Sequence, residues 1–217
     1  MRPQAQRGMA SESETPRRRS IRLPGYDYAE PGAYFVTICT RKRECVLGRA
    51  HAETVVLSRA GKIVASAWQG LRARFPHLDL DAFIIMPNHV HGVVVLGELV
   101  PGGLRPTARN RAPTLGEVVR TFKAVSTRLI RSTHRPTFAW QRNYYEHVIR
   151  NEMALRAIRL YVESNPLLWS LDGDNPKGGA LGLASVNRAQ AKGYGFSDHQ
   201  WDFVVKYDNQ YRGLSEP

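Results

Sequence analysis

Residues 80–96 read LDAFIIMPNHVHGVVVL, two strongly β-prone runs separated only by Pro87 and Asn88. Two turn-forming residues between such runs are typical of an antiparallel β-hairpin, so we expect strands over 80–86 and 89–96. We expect the hairpin at the centre of an antiparallel sheet.

The second strand of the hairpin carries the triplet His89-Val90-His91. Because side chains alternate across a strand, the two imidazoles are predicted to share one face, with Val90 on the other. Two imidazoles can converge on one metal ion, but histidines also occur in strands as surface or core residues. The triplet therefore calls for a third ligand before a metal site is inferred.

Outward from the hairpin, the apolar periodicity alternates between strand and helix. The predicted elements are a strand over 33–40 (AYFVTICT), a helix over 57–74, a helix over 114–131 capped by Thr114, a strand within 138–149 and a helix over 151–164 capped by Asn151. Runs of both kinds around one hairpin predict an α+β fold in which helices pack on an antiparallel sheet.

The last of these helices offers further ligands. Tyr161 and Asn165 are four residues apart, so they lie on the same helical face and project together. The pattern alone favours an ordinary structural role for both residues, because Asn165-Pro166 resembles a helix stop and Tyr161 could be an aromatic at the edge of the core.

Composition limits the class of protein. The 217 residues suit one domain of ordinary size with tails, and 42% hydrophobic residues are enough for a core. The net charge of +12 favours a polyanionic partner. Cys39 and Cys45 are too few for a disulfide framework, and no apolar run approaches a membrane span, so we expect a cytoplasmic protein.

The domain limits follow from polar and charged segments. Residues 1–20 are polar and end in Arg17, Arg18 and Arg19, which predicts a flexible basic arm able to contact phosphates. One folded domain is expected over 21–170, interrupted by a basic connection over 98–113. Residues 171–217 form a C-terminal extension to which the sequence assigns no role.

Six segments in this order resemble the REP-associated tyrosine transposases, a group of single-tyrosine transposases with a His-hydrophobe-His motif. The segments are 19–28 (RSIRLPGYDY), 33–40, 86–92 (MPNHVHG), 115–128 (LGEVVRTFKAVSTR), 140–150 (WQRNYYEHVIR) and 161–166 (YVESNP). Together they cover roughly residues 17–170. The resemblance implies a ferredoxin-like arrangement of the sheet and its helices.

The resemblance also implies the site. His89 and His91 would bind a divalent cation, Tyr161 would be the nucleophile, and Asn165 would complete the metal site with its amide oxygen. We expect Mg²⁺ or Mn²⁺, polarising a phosphodiester that the tyrosine attacks to give a 5′-phosphotyrosine. The phenol has an ordinary pKa of about 10 and needs a proton acceptor that the sequence does not identify.

The expected partner is single-stranded DNA with palindromic hairpins, bound by a monomer or a homodimer without any membrane. Arg120 and Lys123 join the three arginines of the arm as DNA-binding candidates, although a solvated helix face is common for such charges. Transposition and DNA recombination through endonuclease cleavage are the functions that follow.

Several alternatives stay open. Tyr144 and Tyr145 are rival nucleophiles, but neither has an amide residue four positions later, and base stacking or packing suits them better. His147 is either an extra ligand or a strand histidine. A histidine-triad phosphoesterase would need a histidine where Val93 stands. A catalytically silent DNA-hairpin binder of the same fold is the main alternative, and rolling-circle initiators and relaxases are chemical variants of the transposase.

Overall fold

The computed structural model of the chain describes residues 27–51, 53–75, 77–97, 113–172, 175–177 and 186–213. In chain order the elements are β1 (Gly32–Cys39), β2 (Gly48–His51), β3 (Thr54–Leu57), α1 (Arg59–Gln69), α2 (Leu71–Arg74), β4 (Leu78–Ile85), β5 (His89–Leu96), α3 (Leu115–Thr133), β6 (Tyr145–Ile149), α4 (Glu152–Leu168), α5 (Arg188–Gly193) and α6 (Asp198–Gly213). Within these ranges, none of the helices combines the length and apolar character of a membrane span. The predicted arm over 1–20, with its three arginines, and nearly all of the connection over 98–113 lie outside the described residues.

Four strands form one sheet in the order β4-β5-β1-β6, and every neighbouring pair is antiparallel. The elements that build it run β1-α1-β4-β5-α3-β6 along the chain, which is the split βαβ repeat of a ferredoxin-like fold. The predicted α+β class with helices packed on an antiparallel sheet is confirmed.

The predicted hairpin is present as β4 and β5, and Met86 N–H donates to His89 O at 2.8 Å across its turn. Its expected place at the centre of the sheet is wrong for one strand, because β4 forms an edge while β5 lies inside. The last six residues of β1 are all buried, so β1 has both faces covered and fills the second central position. In β4, by contrast, side chains such as Asp79 reach solvent.

Alternate side chains of β1 build two cores on opposite faces of the sheet. Tyr34, Val36 and Ile38 pack with α1 and α3 on one face. Phe35 and Cys39 pack with α4, α5 and α6 on the other. Helices therefore cover both faces, and the face under α4 is the one that carries the candidate site.

The predicted helix over 57–74 is in fact two helices. Leu57 belongs to β3, which pairs with β2 in a small hairpin that the sequence pattern did not reveal. Ser58 then caps α1, its hydroxyl accepting from Gly61 N–H at 3.1 Å. Gly70 separates α1 from α2, consistent with the low helix propensity of glycine.

The other helix starts agree with their predicted caps, whereas one end does not. Thr114 and Glu117 form a capping box at the start of α3, and the Asn151 side chain accepts from Ala154 N–H at 2.8 Å at the start of α4. The predicted end of the latter helix at residue 164 is wrong, because α4 continues through Pro166 to a buried Leu168. Proline removes one backbone donor, and burial of the last turn in the core keeps the helix intact.

The C-terminal segment adds a layer that the sequence did not predict. Phe196, Trp201 and Val204 of the described residues 186–213 are buried in the same core as α4. Upstream, the strand expected within 138–149 is confined to Tyr145–Ile149, because the residues before it make only one bridge with the end of β1.

Candidate active site

His89 and His91 lie at the start of β5, opposite Cys39 and Thr37 of β1. Their side chains share the face under α4, as the alternation predicted, and only 1% and 2% of each residue is exposed. The two Nε2 atoms are 3.0 Å apart. A buried pair of ring nitrogens therefore faces one point in the core.

Neighbouring polar groups orient both rings. Asn88 donates through Nδ2 to Arg43 O at 3.1 Å, so its Oδ1 accepts from Nδ1–H of His89 at 2.9 Å. This tautomer leaves a lone pair on Nε2 of His89. On the other ring, Nδ1 of His91 is 2.8 Å from the Thr37 hydroxyl oxygen. Such contacts to the far ring nitrogen are typical of histidines that bind metals.

Burial keeps both imidazoles neutral. Desolvation, reinforced by the nearby Arg43 guanidinium, lowers the pKa of His89 to about 3, and the Asn165 side chain offsets only part of this shift. Desolvation and then the neighbouring His89 lower the pKa of His91 well below its ordinary value. Neutral imidazole is the form that binds a metal ion.

The predicted pair on α4 lies over the histidines. The Tyr161 ring centroid is 5.3 Å from that of His91 and 6.1 Å from that of Phe35, against which it packs edge-on. Asn165 is 2% exposed, and its Oδ1 is buried without a hydrogen-bond partner among the described residues. A buried amide oxygen normally has a donor or a cation, so this atom fits the role of a third ligand.

An ion pair holds α4 in register with the sheet. The pairing of β4 with β5 shifts register between Leu80 and Phe83, and at this point Arg159 of α4 binds the Asp81 carboxylate through two nitrogens at 2.8 and 2.6 Å. The guanidinium lowers the pKa of Asp81, and its fork geometry restrains rotation of the helix. Arg159 is two residues from Tyr161, so this pair helps to position the phenol.

The rival tyrosines lie elsewhere. Tyr145 is opposite Thr37, which is opposite His91, so its backbone is two strands or about 10 Å from the histidine. Burial, with the nearby Glu146 carboxylate, raises the pKa of Tyr145 to about 12. His147 is opposite Phe35 in β6, equally two strands from β5, and Tyr144 packs with the other core. None of these three is brought to the histidine pair as Tyr161 is.

Two residues beyond Pro166 approach the site and were missed by sequence reasoning. The Asp172 Oδ2 atom is 3.8 Å from Nε2 of His89, and the Trp169 ring centroid is 6.0 Å from the His89 ring. The expected helix end at residue 164 left Trp169 outside any predicted element, and Asp172 fell in the C-terminal extension to which no role was assigned. An aromatic and a carboxylate just after the helix that carries Asn165 were the available signal.

The donor set is a mixed one. The described residues contain no group of three or more His, Cys, Asp or Glu side chains suited to a metal ion. A cation at this point would therefore depend on two imidazoles and the Asn165 amide. The residues present fit such an ion, because the two ring nitrogens are 3.0 Å apart and the side chain of Asn165, whose buried oxygen has no hydrogen-bond partner, lies beside His89.

The structure separates the DNA-binding candidates of α3. Arg120 is exposed, and its Nη2 atom is 4.0 Å from Glu117 Oε1, so this ion pair is weak. Lys123 is partly buried, and its Nζ donates to the carbonyl oxygens of Gln141, Arg142 and Asn143 at 3.0, 3.3 and 2.9 Å. These three contacts account for all the donors of the ammonium group, and a direct role of Lys123 in DNA binding stays a prediction.

Comparison with known proteins finds a relative of clear sequence similarity. An uncharacterized protein of Haemophilus influenzae (strain ATCC 51907 / DSM 11121 / KW20 / Rd) is 40% identical over 164 residues, covering 71% of this chain and 91% of the relative. The chain belongs to the same protein family as this protein, whose name assigns no activity. No protein-family model matches the chain.

A solved structure of a REP-associated tyrosine transposase bound to a REP hairpin is also similar. Its TM-score with this chain is 0.43 at 20% sequence identity, over 67% of this chain and 72% of that chain. Similarity at this level does not assign an activity to the chain.

Proposed function

We propose that this chain is a metal-dependent tyrosine transposase that cleaves and rejoins hairpin-containing single-stranded DNA. One observation carries the proposal: the His89 and His91 Nε2 atoms face each other at 3.0 Å beside the unpartnered Asn165 oxygen, with the Tyr161 ring 5.3 Å from the His91 ring. A nucleophile of the right kind next to a cation-binding donor set suits phosphodiester chemistry. The sequence motifs around these residues support the same conclusion.

His89, His91 and Asn165 would hold the ion. The neutral amide oxygen of Asn165 suits a hard cation such as Mg²⁺ or Mn²⁺, although imidazole also suits softer ions. When bound, the cation supplies charge stabilisation to a phosphate oxygen.

The chain's own residues perform the transfer. The Tyr161 oxygen forms a bond to phosphorus and loses its proton, while the bond from phosphorus to the 3′ oxygen breaks and that oxygen gains a proton. The product is a 5′-phosphotyrosine and a free 3′-hydroxyl, so the bond energy is retained. Attack by another 3′-hydroxyl reverses the step and joins strands.

Burial assists in two ways. Tyr161 is 5% exposed and packs against Phe35 and the His91 ring, which limits its orientations before the reaction. The surrounding core excludes water, and a phosphotyrosine in such a setting is protected from hydrolysis.

Covalent attachment tests the nucleophile. A labelled single-stranded hairpin with Mn²⁺ should give a protein-DNA adduct on a denaturing gel with the wild type and with Tyr145→Phe, but none with Tyr161→Phe. Hairpin binding should be nearly unchanged in Tyr161→Phe because only one oxygen is lost. An adduct that survives in Tyr161→Phe and disappears in Tyr145→Phe would show that Tyr145 is the nucleophile and that the proposed assignment to Tyr161 is wrong. Hairpin binding without any adduct would instead support the silent hairpin binder.

Metal binding is tested separately by calorimetric titration with Mn²⁺. The wild type should bind one ion, and His91→Ala or Asn165→Ala should weaken binding by at least about tenfold, the scale seen even for residues that only support ligands. Equal Mn²⁺ affinity in all three proteins would refute the proposed ligands.

Sedimentation with and without the hairpin distinguishes the monomer from the homodimer.

A further inference from the structure

A basic groove lies between α3 and residues 139–144, on the face of the sheet opposite to the candidate active site. Its volume is about 970 Å³, and its lining includes Arg120, Arg128, Arg131, Arg142, Trp140 and Tyr144. Among its described lining residues there is no acidic side chain. The candidate active site does not use this groove.

Two of the cations in the groove are unengaged. Arg128 and Arg142 are exposed, and within the described part of the chain neither makes a hydrogen bond or an ion pair. Arg131 is held partly by its own chain, since its Nε donates to Phe138 O at 2.7 Å. Several guanidinium groups with free donors are suited to phosphate oxygens.

Residues 139–144 form the wall of the groove opposite α3, and contacts within the chain hold this wall in place before any ligand binds. Lys123 Nζ donates to the carbonyl oxygens of residues 141–143 and lies 5.4 Å from the Tyr144 ring centroid. Trp140 Nε1–H donates to the Ser126 hydroxyl at 2.9 Å. A wall organised in this way binds a ligand with little ordering cost.

Residues 139–144 also lie close to the strand end that carries the histidines. Gln141 N–H donates to Cys39 O at 2.8 Å, and Cys39 is opposite His89 in the sheet. Two strand spacings, about 10 Å, therefore separate the backbones of Gln141 and His89. The short 3₁₀ turn Arg41–Arg43 lies at the same end, where Arg41 N–H donates to Ala139 O at 2.8 Å and Arg41 and Lys42 are exposed. Basic side chains thus continue from the groove around the end of the sheet to the site.

We propose that this groove binds the backbone of single-stranded DNA and leads the strand around Arg41–Arg43 to Tyr161. The route rests on the proposed function, whereas strand binding by the groove does not. Arg120 and Arg131 are 11 residues apart on α3, or about 16 Å at 1.5 Å per residue. A strand rising about 3.4 Å per nucleotide would place roughly five nucleotides along this length.

Single-stranded DNA is the favoured occupant because cationic and aromatic side chains line the groove together. Such a combination contacts phosphates and unpaired bases at once, which is the usual arrangement for proteins that bind single strands. A duplex keeps its bases stacked inside and would offer only its phosphates to Trp140 and Tyr144.

The experiment compares two double variants with equal loss of charge. Arg128→Gln/Arg142→Gln alters the groove, and Arg74→Gln/Arg156→Gln alters exposed arginines of α2 and α4 elsewhere on the surface. Fluorescence anisotropy of a labelled oligothymidine measures affinity over a series of salt concentrations. The groove variant should bind several times more weakly, and its log-log salt dependence should be shallower by roughly 1.4, about 0.7 for each lost phosphate contact. The control should behave as the wild type.

The outcomes separate the two proposals. Equal salt dependence for both double variants would overturn the groove assignment, as would a loss confined to blunt duplex DNA. The Tyr161-dependent adduct is measured independently, so its absence would count against the proposed transposase and not against strand binding. Circular dichroism melts of both double variants establish that they are folded, since all four arginines are exposed.

Discussion

Replacing Gly92 with alanine should destabilise the sheet on which the histidines lie. Gly92 follows His91 in β5, and the Trp68 indole packs directly on its backbone. A Cβ atom there would be 2.5 Å from Trp68 Cζ2 and 3.1 Å from Phe83 Cδ2. The indole has little room to move, because it stacks on Phe83 with centroids 4.4 Å apart and meets Phe122 edge-on at 5.4 Å.

The geometry sets the expected size of the effect. Carbon atoms normally meet at about 3.5–4.0 Å, so the added methyl group overlaps the indole by about 1 Å. Overpacking of this kind in a well-filled core costs about 1–3 kcal/mol. For a chain of this size each kcal/mol lowers the melting temperature by about 2–4 °C, which predicts a fall of about 2–12 °C.

Thermal melts followed by circular dichroism measure the change, with Gly97→Ala as the matched control. At Gly97, just after β5, the nearest atom to an added Cβ is His77 O at 3.4 Å, an ordinary contact. Both substitutions alter the unfolded chain in the same way, so only the native-state overlap differs. Because β5 also carries His91, Mn²⁺ affinity should fall in Gly92→Ala alone. Equal melting temperatures for the two variants would refute the reasoning.

Three further predictions concern charge. The pKa of His89 is about 3 in the folded chain, against an ordinary value of 6.5. Between these pH values His89 binds a proton in the unfolded chain but not in the folded one, so the free energy of unfolding falls as pH falls. Urea unfolding in EDTA at pH 7 and pH 5 measures this fall. Asp81→Asn should break the pair with Arg159, costing up to about 1 kcal/mol and slowing adduct formation by Tyr161. Lys123→Met should free residues 141–143, so their amide exchange should accelerate by roughly fivefold or more, as expected for about 1 kcal/mol of lost bonding.

Each of these has a control. His89→Gln should reduce the pH dependence without abolishing it, because the pKa of His91 is also lowered. Asp79→Asn should leave adduct formation unchanged, because its exposed pair with Arg72 is far along β4 from the site. Lys192→Met removes an exposed ammonium paired with Asp198. Stability that does not change with pH, equal adduct rates for the two aspartate variants, or unaltered exchange in Lys123→Met would contradict the corresponding prediction.

The local features of the fold could be predicted because short-range rules produce them. Alternation along a strand put His89 and His91 on one face, and two turn residues produced the β4-β5 hairpin. Side-chain oxygens at Thr114 and Asn151 capped two helices where expected. Each of these depends on residues within about four positions, so neighbours in the sequence are sufficient to determine it.

The rest depended on segments that are distant in the sequence. Pro166 predicted a helix end by local rules, but burial of Leu168 keeps α4 helical, so the expected boundary failed. The hydrogen bonds of Lys123 to carbonyl groups 18 to 20 residues away could not be predicted from its charge, and its contact with DNA stays a prediction.

The same distinction applies to the candidate site. The sequence by itself determined which residue types are available and that the two pairs, one on a strand and one on a helix, each project together. Only the tertiary structure decided that the pairs meet, through packing of α4 on the sheet and the contact of Arg159 with Asp81 across 78 residues. Asp172 approaches His89 for the same reason. Periodicity acts within an element, while the distance between elements depends on the whole core that packs them, and no local pattern records that distance.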